Sequence, residues 1–205
     1  MAAQEIFENI YRNKIWGGRK RFWRRFYSGS GSVGANIVRP YIAAVAPLIA
    51  GKHVIDLGCG DFNVGRRLVS RADHYIGCDI ARPVIEHNRK KFPPIEFLVV
   101  DAIEDPLPDG DIVILRQVLQ HLDNASVAKI LDKLWKYQAA IITEHIPKHS
   151  FTPNIDMRIG AGNRIGFQSG LVLTEPPFCF ADGKIICEVE QHGGLIRTIL
   201  HDLGN

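Results

Sequence analysis

The sequence has little of what several protein classes require. Its 205 residues hold four cysteines, Cys59, Cys78, Cys179 and Cys187, and no two of them form a Cys-x-x-Cys pair. That excludes the usual zinc spacings and a disulfide framework, so no metal is expected and a reducing, cytoplasmic setting is. No apolar run approaches the roughly 20 residues of a membrane span, so no membrane association is expected. The start, Met1-Ala2-Ala3-Gln4-Glu5, lacks the charged-then-apolar order of a secretory signal. The net charge is only +3 and the pI about 8.7. A dedicated nucleic-acid binder carries a stronger basic stripe. Internal repeats are absent.

What is present suits a single globular core. Hydrophobic residues make up 46% of the chain, enough to exclude disorder, and the length fits one domain. The first 35 residues differ in character. Ile6, Ile10 and Tyr11 share one face of a short helix, then Trp16-Gly17 leads into the basic-aromatic run 19–27 and the turn-rich Ser28-Gly29-Ser30-Gly31-Ser32. We read residues 1–35 as a lid or substrate-side segment, with an amphipathic helix in the basic run folding over the site, and 36–205 as one domain.

From residue 40 the pattern alternates. A helix is expected over 40–49, stopped by Gly51. Short apolar strands are expected over 53–57, 75–79, 95–100, 112–115 and 140–143. Helices are expected between them, marked by Val64, Leu68 and Val69, by Pro83 in a first turn, and by Val127, Ile130, Leu131 and Leu134 behind Asp123 or Asn124 as cap. Apolar strands separated by helices predict a parallel sheet covered on both faces. The segments 184–190 and 195–200 flank His192-Gly193-Gly194, the signal of a closing antiparallel hairpin. Between them and the fifth strand, 147–170 reads as a long loop.

The first strand runs into Asp56-Leu57-Gly58-Cys59-Gly60. Glycines at 58 and 60 let backbone press against a ligand. A dinucleotide fingerprint wants a third glycine at 63, where Asn63 stands. An acid at 56 repels a pyrophosphate and welcomes an ammonium group. Asp79 ends the second strand, where a carboxylate can accept ribose hydroxyls, and Asp101 ends the third, within reach of an adenine amino group.

These elements together resemble the class I, Rossmann-like S-adenosylmethionine-dependent methyltransferases. The first motif, acid-x-Gly-x-Gly, matches Asp56, Gly58 and Gly60. The ribose acid matches Asp79 and the adenine-side acid Asp101. The segment from Asp111 to Leu122 is similar to the family's fourth strand, cofactor-facing turn and His-Leu ending. The resemblance covers roughly residues 42–146 and implies a Rossmann-like, doubly wound, mostly parallel sheet with S-adenosylmethionine as cofactor. It implies a cofactor site made of Asp56, Gly58, Cys59 and Gly60, of Asp79 with Ile80, of Asp101 with Ala102, and of Arg116 with Gln117. The bulky Asp61-Phe62-Asn63 departs from the small residues often found there and is expected to narrow the methionine pocket. Trp16-Gly17, the Ser-Gly-x-Gly-Ser element at 28–32 and Pro176-Pro177-Phe178 resemble a subgroup of small bacterial methyltransferases.

Methyl transfer needs the nucleophile held in line, about 3–3.5 Å from the methyl. A base is needed only when the acceptor atom carries a proton. His145 at the fifth strand's end and His121 after the fourth are the candidate bases. Trp16, Glu144 and Arg158 are the candidate acceptor contacts, with Arg164 a second arginine in the same loop. A small-molecule acceptor with a reactive oxygen or nitrogen is favoured. A nucleic-acid methyltransferase using the basic amino-terminal run is the near rival; against it, Arg116-Gln117-Val118-Leu119 stands where an Asn/Asp-Pro-Pro-aromatic tetrad would. A cofactor-binding protein without catalysis is the rival from another class. The oligomeric state is left open.

Overall fold

The computed structural model describes residues 2–17 and 26–204. The basic run 19–25, where an amphipathic helix is expected, lies outside the described residues. Helix α1 spans Ala3–Arg12 and α2 Ala35–Val45; strands β1, His53–Leu57, and β2, His74–Asp79, follow. Next come α3, Arg82–Lys91, β3, Glu96–Val99, β4, Ile112–Arg116, and α4, Asn124–Leu134. Strand β5 spans Ala139–Pro147, and a small pair is formed by β6, Thr152–Pro153, and β7, Ser169–Gly170. Strands β8, Gly183–Gln191, and β9, Gly194–Asp202, end the chain.

Seven strands make one sheet in the order β3-β2-β1-β4-β5-β9-β8. The first five are parallel; β9 runs against β5, and β8 against β9. Successive strand residues face opposite sides. Ile112 and Ile114 therefore join Tyr41 and Val45 of α2 and Ile85 of α3 in one core, while Val113 and Leu115 join Val127, Ile130 and Leu134 of α4 in the other. Helix α1 adds Phe7 and Ile10 to that second core. Helices thus cover both faces, as the unbroken apolar strands require. Helix α4 begins where Asp123 accepts the Ser126 amide at 2.7 Å, the capping bond that fixes its register. No helix among the described residues is long and apolar enough to cross a membrane.

Four expectations are corrected. No α-helix follows β1; two 3-10 turns, Gly65–Arg67 and Val69–Arg71, stand there instead. The cause is Phe62, whose φ of 57° breaks the helical path so that its ring can pack edge-on against Tyr75, Phe92 and Phe97. Helix α2 opens behind Gly34 and carries Pro40 inside it. Strand β5 runs to Pro147, because β9 pairs with it along its whole length from Ala139↔Asp202 to Pro147↔Gly194. The segment 147–170 is not bare loop: it carries β6, β7 and a 3-10 turn, Arg164–Phe167.

Candidate active site

At the carboxyl edge of β1 the chain turns on Gly58 and Gly60, with φ of 76° and 54°. Both values favour glycine. Space excludes a side chain as well: a Cβ on Gly58 would stand 2.3 Å from Val118 Cγ2, and one on Gly60 2.3 Å from Ser28 Oγ. The Gly58 and Cys59 amides donate to the Cys78 carbonyl at 2.8 and 2.9 Å, so the turn is fastened to β2.

Three carboxylates ring this turn. Asp79 accepts the Gly60 amide on Oδ2 at 3.0 Å and the Ala81 amide on Oδ1 at 2.9 Å. Burial pushes its pKa up to about 6, against those two bonds. Asp56 accepts the Tyr75 hydroxyl at 2.8 Å; burial raises it to about 7, and Arg116 and Tyr75 hold it from going further. Asp101 accepts the Ile103 amide at 2.9 Å and donates its own amide to Asp105. Each of these oxygens retains a second lone pair.

The segment before α2 closes over the turn. The Asp61 amide donates to Ser28 Oγ at 2.8 Å, and Tyr11 shares a hydrogen bond with the same hydroxyl at 3.0 Å. Asn63 Nδ2 donates to the Ser32 carbonyl, and Arg116 Nη2 to the Gly31 carbonyl at 2.8 Å. Trp16 Nε1 donates to the Ala161 carbonyl at 3.0 Å, and its ring lies 5.0 Å from that of His121.

Together these elements enclose a cavity of about 490 Å³, within the range of about 300–1,000 Å³ that ligand sites occupy. Asp56, Gly58 and Cys59 line it from β1 and its turn, Asp79 and Ile80 from β2, and Asp101 and Ala102 from β3. Arg116, Gln117 and His121 line it from β4 and its turn, His145 from β5 and Trp16 from the amino-terminal segment. Gly60 lies behind the wall, under Ser28. Neither Phe62 nor Asn63 reaches the cavity, so the expected narrowing of the pocket does not arise from them; Asp61 does line it.

Two expected acceptor contacts stand elsewhere. Glu144 does not line the cavity; its carboxylate accepts the Leu119 and Gln120 amides at 3.1 and 3.0 Å. It is buried, which raises its pKa to about 8. Arg158 is exposed and outside the cavity. Arg164 is buried too, binding the Ile155 and Leu122 carbonyls and Asn124 Oδ1 at 2.8–3.0 Å. Its guanidinium ties the turn after β4 to the loop after β6, which occupies it fully.

The two histidines differ. His121 Nδ1 pairs with the Gly162 carbonyl at 2.7 Å and Nε2 with Gln120 Nε2 at 3.2 Å. Burial lowers its pKa to about 4, so it stays neutral with both nitrogens engaged. His145 donates from Nε2 to the Gln191 carbonyl at 2.9 Å, which leaves Nδ1 as the proton acceptor. Burial lowers its pKa as well, with the Gln191 carbonyl opposing.

Sequence reasoning did not single out Tyr11, Ser28, Gln120 or Gln191. The helical stripe that ends at Tyr11 and the Ser-Gly-x-Gly-Ser element were visible, but their docking onto the Gly58 turn is a long-range contact that no local pattern encodes.

Comparison with known proteins agrees with this geometry. Residues 54–138 match the family model of a methyltransferase domain. A probable S-adenosylmethionine-dependent methyltransferase of Mycobacterium tuberculosis is 25% identical over 118 residues, covering 56% of this chain and 43% of its own length. Over this segment the chain is similar to S-adenosylmethionine-dependent methyltransferases. An uncharacterized methyltransferase of the same organism is 32% identical over 89 residues, 42% of this chain and 45% of its own. The chain thus spans less than half the length of these curated relatives. Two solved structures share the fold of the methyltransferase domain. Magnesium protoporphyrin IX methyltransferase from Synechocystis with bound S-adenosylhomocysteine has a TM-score of 0.63 at 16% identity, covering 98% of this chain and 99% of that one. Human N-acetylserotonin methyltransferase in complex with S-adenosylmethionine has a TM-score of 0.60 at 16% identity, covering 100% and 61%. The curated relative is named for S-adenosylmethionine, and the human enzyme is solved with it. The residues present fit it: buried carboxylates with spare lone pairs face a cavity beside a glycine turn, which suits a ligand bearing hydroxyls and positive charge.

Proposed function

We propose that the chain transfers a methyl group from S-adenosylmethionine to an oxygen, or a nitrogen, of a small-molecule acceptor, with His145 as base when that atom carries a proton. The observation that carries this reading is the His145 ring. It lines the cavity, and its Nε2 is committed to the Gln191 carbonyl at 2.9 Å, which leaves a basic nitrogen on the neutral imidazole.

The bound cofactor supplies a methyl carbon already activated by sulfonium. The chain's part is to hold and orient. Asp79 takes the ribose hydroxyls, Asp101 the adenine amino group, and Asp56 contributes negative charge beneath the Gly58 turn. Residues 1–35 act as the lid, with Trp16 against the acceptor side and Ser28–Ser32 over the glycine turn. Their Trp-Gly and Ser-Gly-x-Gly-Ser elements support a small bacterial subgroup, and the few cysteines support action in the cytoplasm. Gln120 links the two candidate bases, since its Oε1 accepts the His145 amide at 3.0 Å and its Nε2 meets His121.

A turnover assay that follows S-adenosylhomocysteine release over a metabolite panel, with RNA and DNA included, tests the reading. Release with one or more hydroxyl- or amine-bearing metabolites supports it. Release with RNA or DNA alone overturns it, and so does tight cofactor binding without any turnover.

A further inference from the structure

Arg116 is a cation in an unusual position. It ends β4, lines the cavity, and stacks over the Tyr41 ring at 4.9 Å. Two of its five N–H groups have partners, the Gly31 carbonyl at 2.8 Å and Gln117 Oε1 at 3.3 Å. Its Nε is buried with no hydrogen-bond partner. No carboxylate forms an ion pair with it among the described residues. The Tyr41 hydroxyl is likewise buried without a hydrogen-bond partner. Asp56 and Glu144 attract this half-buried cation without touching it, and a desolvated cation without a direct ion pair is costly. The fold keeps this one beside a cavity.

The cavity's charge is divided in space. Its four acids, Asp56, Asp61, Asp79 and Asp101, all lie at the ends of β1, β2 and β3 or in their loops. The wall formed by β4, β5, the β8–β9 turn and the loop after β7's partner holds Arg116, Gln117, His145, Asn163, Gln191 and His192. That wall contains no acid. Arg116 pairs in register with Thr143 of β5, and His145 follows two residues later on the same face. The guanidinium therefore shares a sheet face with the proposed base; of the cavity's acids, Asp56 on the neighbouring strand β1 acts on it, while Asp79 and Asp101 belong to the strands beyond β1.

We propose that the methyl acceptor bears a carboxylate and that Arg116 anchors it, a proposal that rests on the small-molecule reading above. A carboxylate matches the planar fork of a guanidinium and supplies the direct ion pair that the fold leaves unmade. A single guanidinium suits a monoanion better than a phosphate, and the neutral donors Gln117, Gln191 and Asn163 are placed to hold the remainder of a small polar acid. Arg116 is then the residue that selects acids over their neutral analogues, while His145 acts at the methylated atom.

The cofactor has a carboxylate of its own, and the experiment must separate the two sources. Binding is read by ligand-observed NMR on the S-adenosylhomocysteine complex, with matched hydroxyl-bearing acids and their primary amides, 4-hydroxybenzoate and 4-hydroxybenzamide among them. The proposal expects acids to bind at least tenfold more tightly than their amides, a preference lost in Arg116→Gln and kept in part by Arg116→Lys. Equal binding of acids and amides, or a preference that survives in Arg116→Gln, overturns it, as does a panel in which no acid binds. In a second arm, S-adenosylhomocysteine is compared with 5′-methylthioadenosine, which lacks the amino-acid end. If Arg116→Gln weakens only the former by tenfold or more, the carboxylate is the cofactor's and the acceptor assignment falls. Arg116→Lys controls for folding, since it keeps the charge at the same place. Failure of the wild-type protein to bind S-adenosylhomocysteine at all would instead remove the methyltransferase reading on which the proposal stands.

Discussion

The Gly60 amide donates to Asp79 Oδ2 at 3.0 Å, so one carboxylate joins the turn after β1 to the end of β2. The same side chain accepts the Ala81 amide, yet each oxygen keeps a lone pair for a ligand. The residue that shapes the turn is thus also the one proposed to hold the ribose.

Asp79→Ala should weaken binding of S-adenosylmethionine by about 1.5–3 kcal/mol, the value of hydrogen bonds to a charged group. Asp79→Asn keeps one acceptor for the turn and should lose nearly as much affinity, since it has one oxygen instead of two. Titration calorimetry on folded variants measures both. Unchanged affinity would reduce Asp79 to a tie between loops.

His145→Ala should cut turnover on a hydroxyl acceptor by roughly 10²–10⁴ fold, the range of general-base catalysis, with cofactor affinity unchanged. Burial lowers the imidazole pKa. The rate under cofactor saturation should therefore rise with pH through an apparent value below the ordinary 6.5 and stay level above it. His121→Ala should act on folding more than on chemistry, because both ring nitrogens already have partners. A large loss of turnover in a stable His121→Ala protein, with His145→Ala nearly silent, would reverse the assignment.

The stability of the ligand-free protein should fall as pH rises from about 6.5 to 8.5. Burial holds Glu144 at about 8, Asp56 at about 7 and Asp79 at about 6, above the ordinary carboxylate range near 4. The folded state therefore keeps protons that the unfolded chain has released. That contribution is complete below the unfolded values and is lost as pH passes through the folded ones. His121, lowered to about 4, acts in the opposite sense, but only below about 6.5. Thermal melts across the window should show a falling Tm, and Glu144→Gln should flatten its alkaline end. A Tm that is level or rising in both proteins would mean that these carboxyls are ionised throughout.

The sheet was legible because its strands are apolar on both faces and separated by turn-forming residues. The cofactor turn was legible because Gly58 and Gly60 stand at positions where backbone conformation and space both demand glycine. The helix expected from Val64, Leu68 and Val69 failed for a tertiary reason: Phe62 belongs to an aromatic cluster assembled from β2, α3 and β3, and a left-handed residue is what brings it there. Glu144 and Arg164 look like site residues because charged side chains are rarely buried. Both instead satisfy backbone groups at the turn after β4, an arrangement that depends on segments 24 to 45 residues apart. The depth of β5 was hidden for the same reason, since its last four residues are held by pairing with β9 and not by their own propensity.

The β8–β9 hairpin turns on His192 and Gly193, with φ of 47° and 76°, and its arms are nine residues each. Arm length sets how far the tip reaches, and the tip delivers Gln191 and His192 to the cavity wall while Gln191 fixes the tautomer of His145. The acids facing the cofactor are borne by β1, β2 and β3, at the other side of the sheet. On the proposed reading, recognition of the two ligands falls to separate stretches of polypeptide. The hairpin tip is consequently a cassette: exchanging residues 191–194 among relatives with the same arm length would re-tune acceptor choice and leave the cofactor's seat as it is.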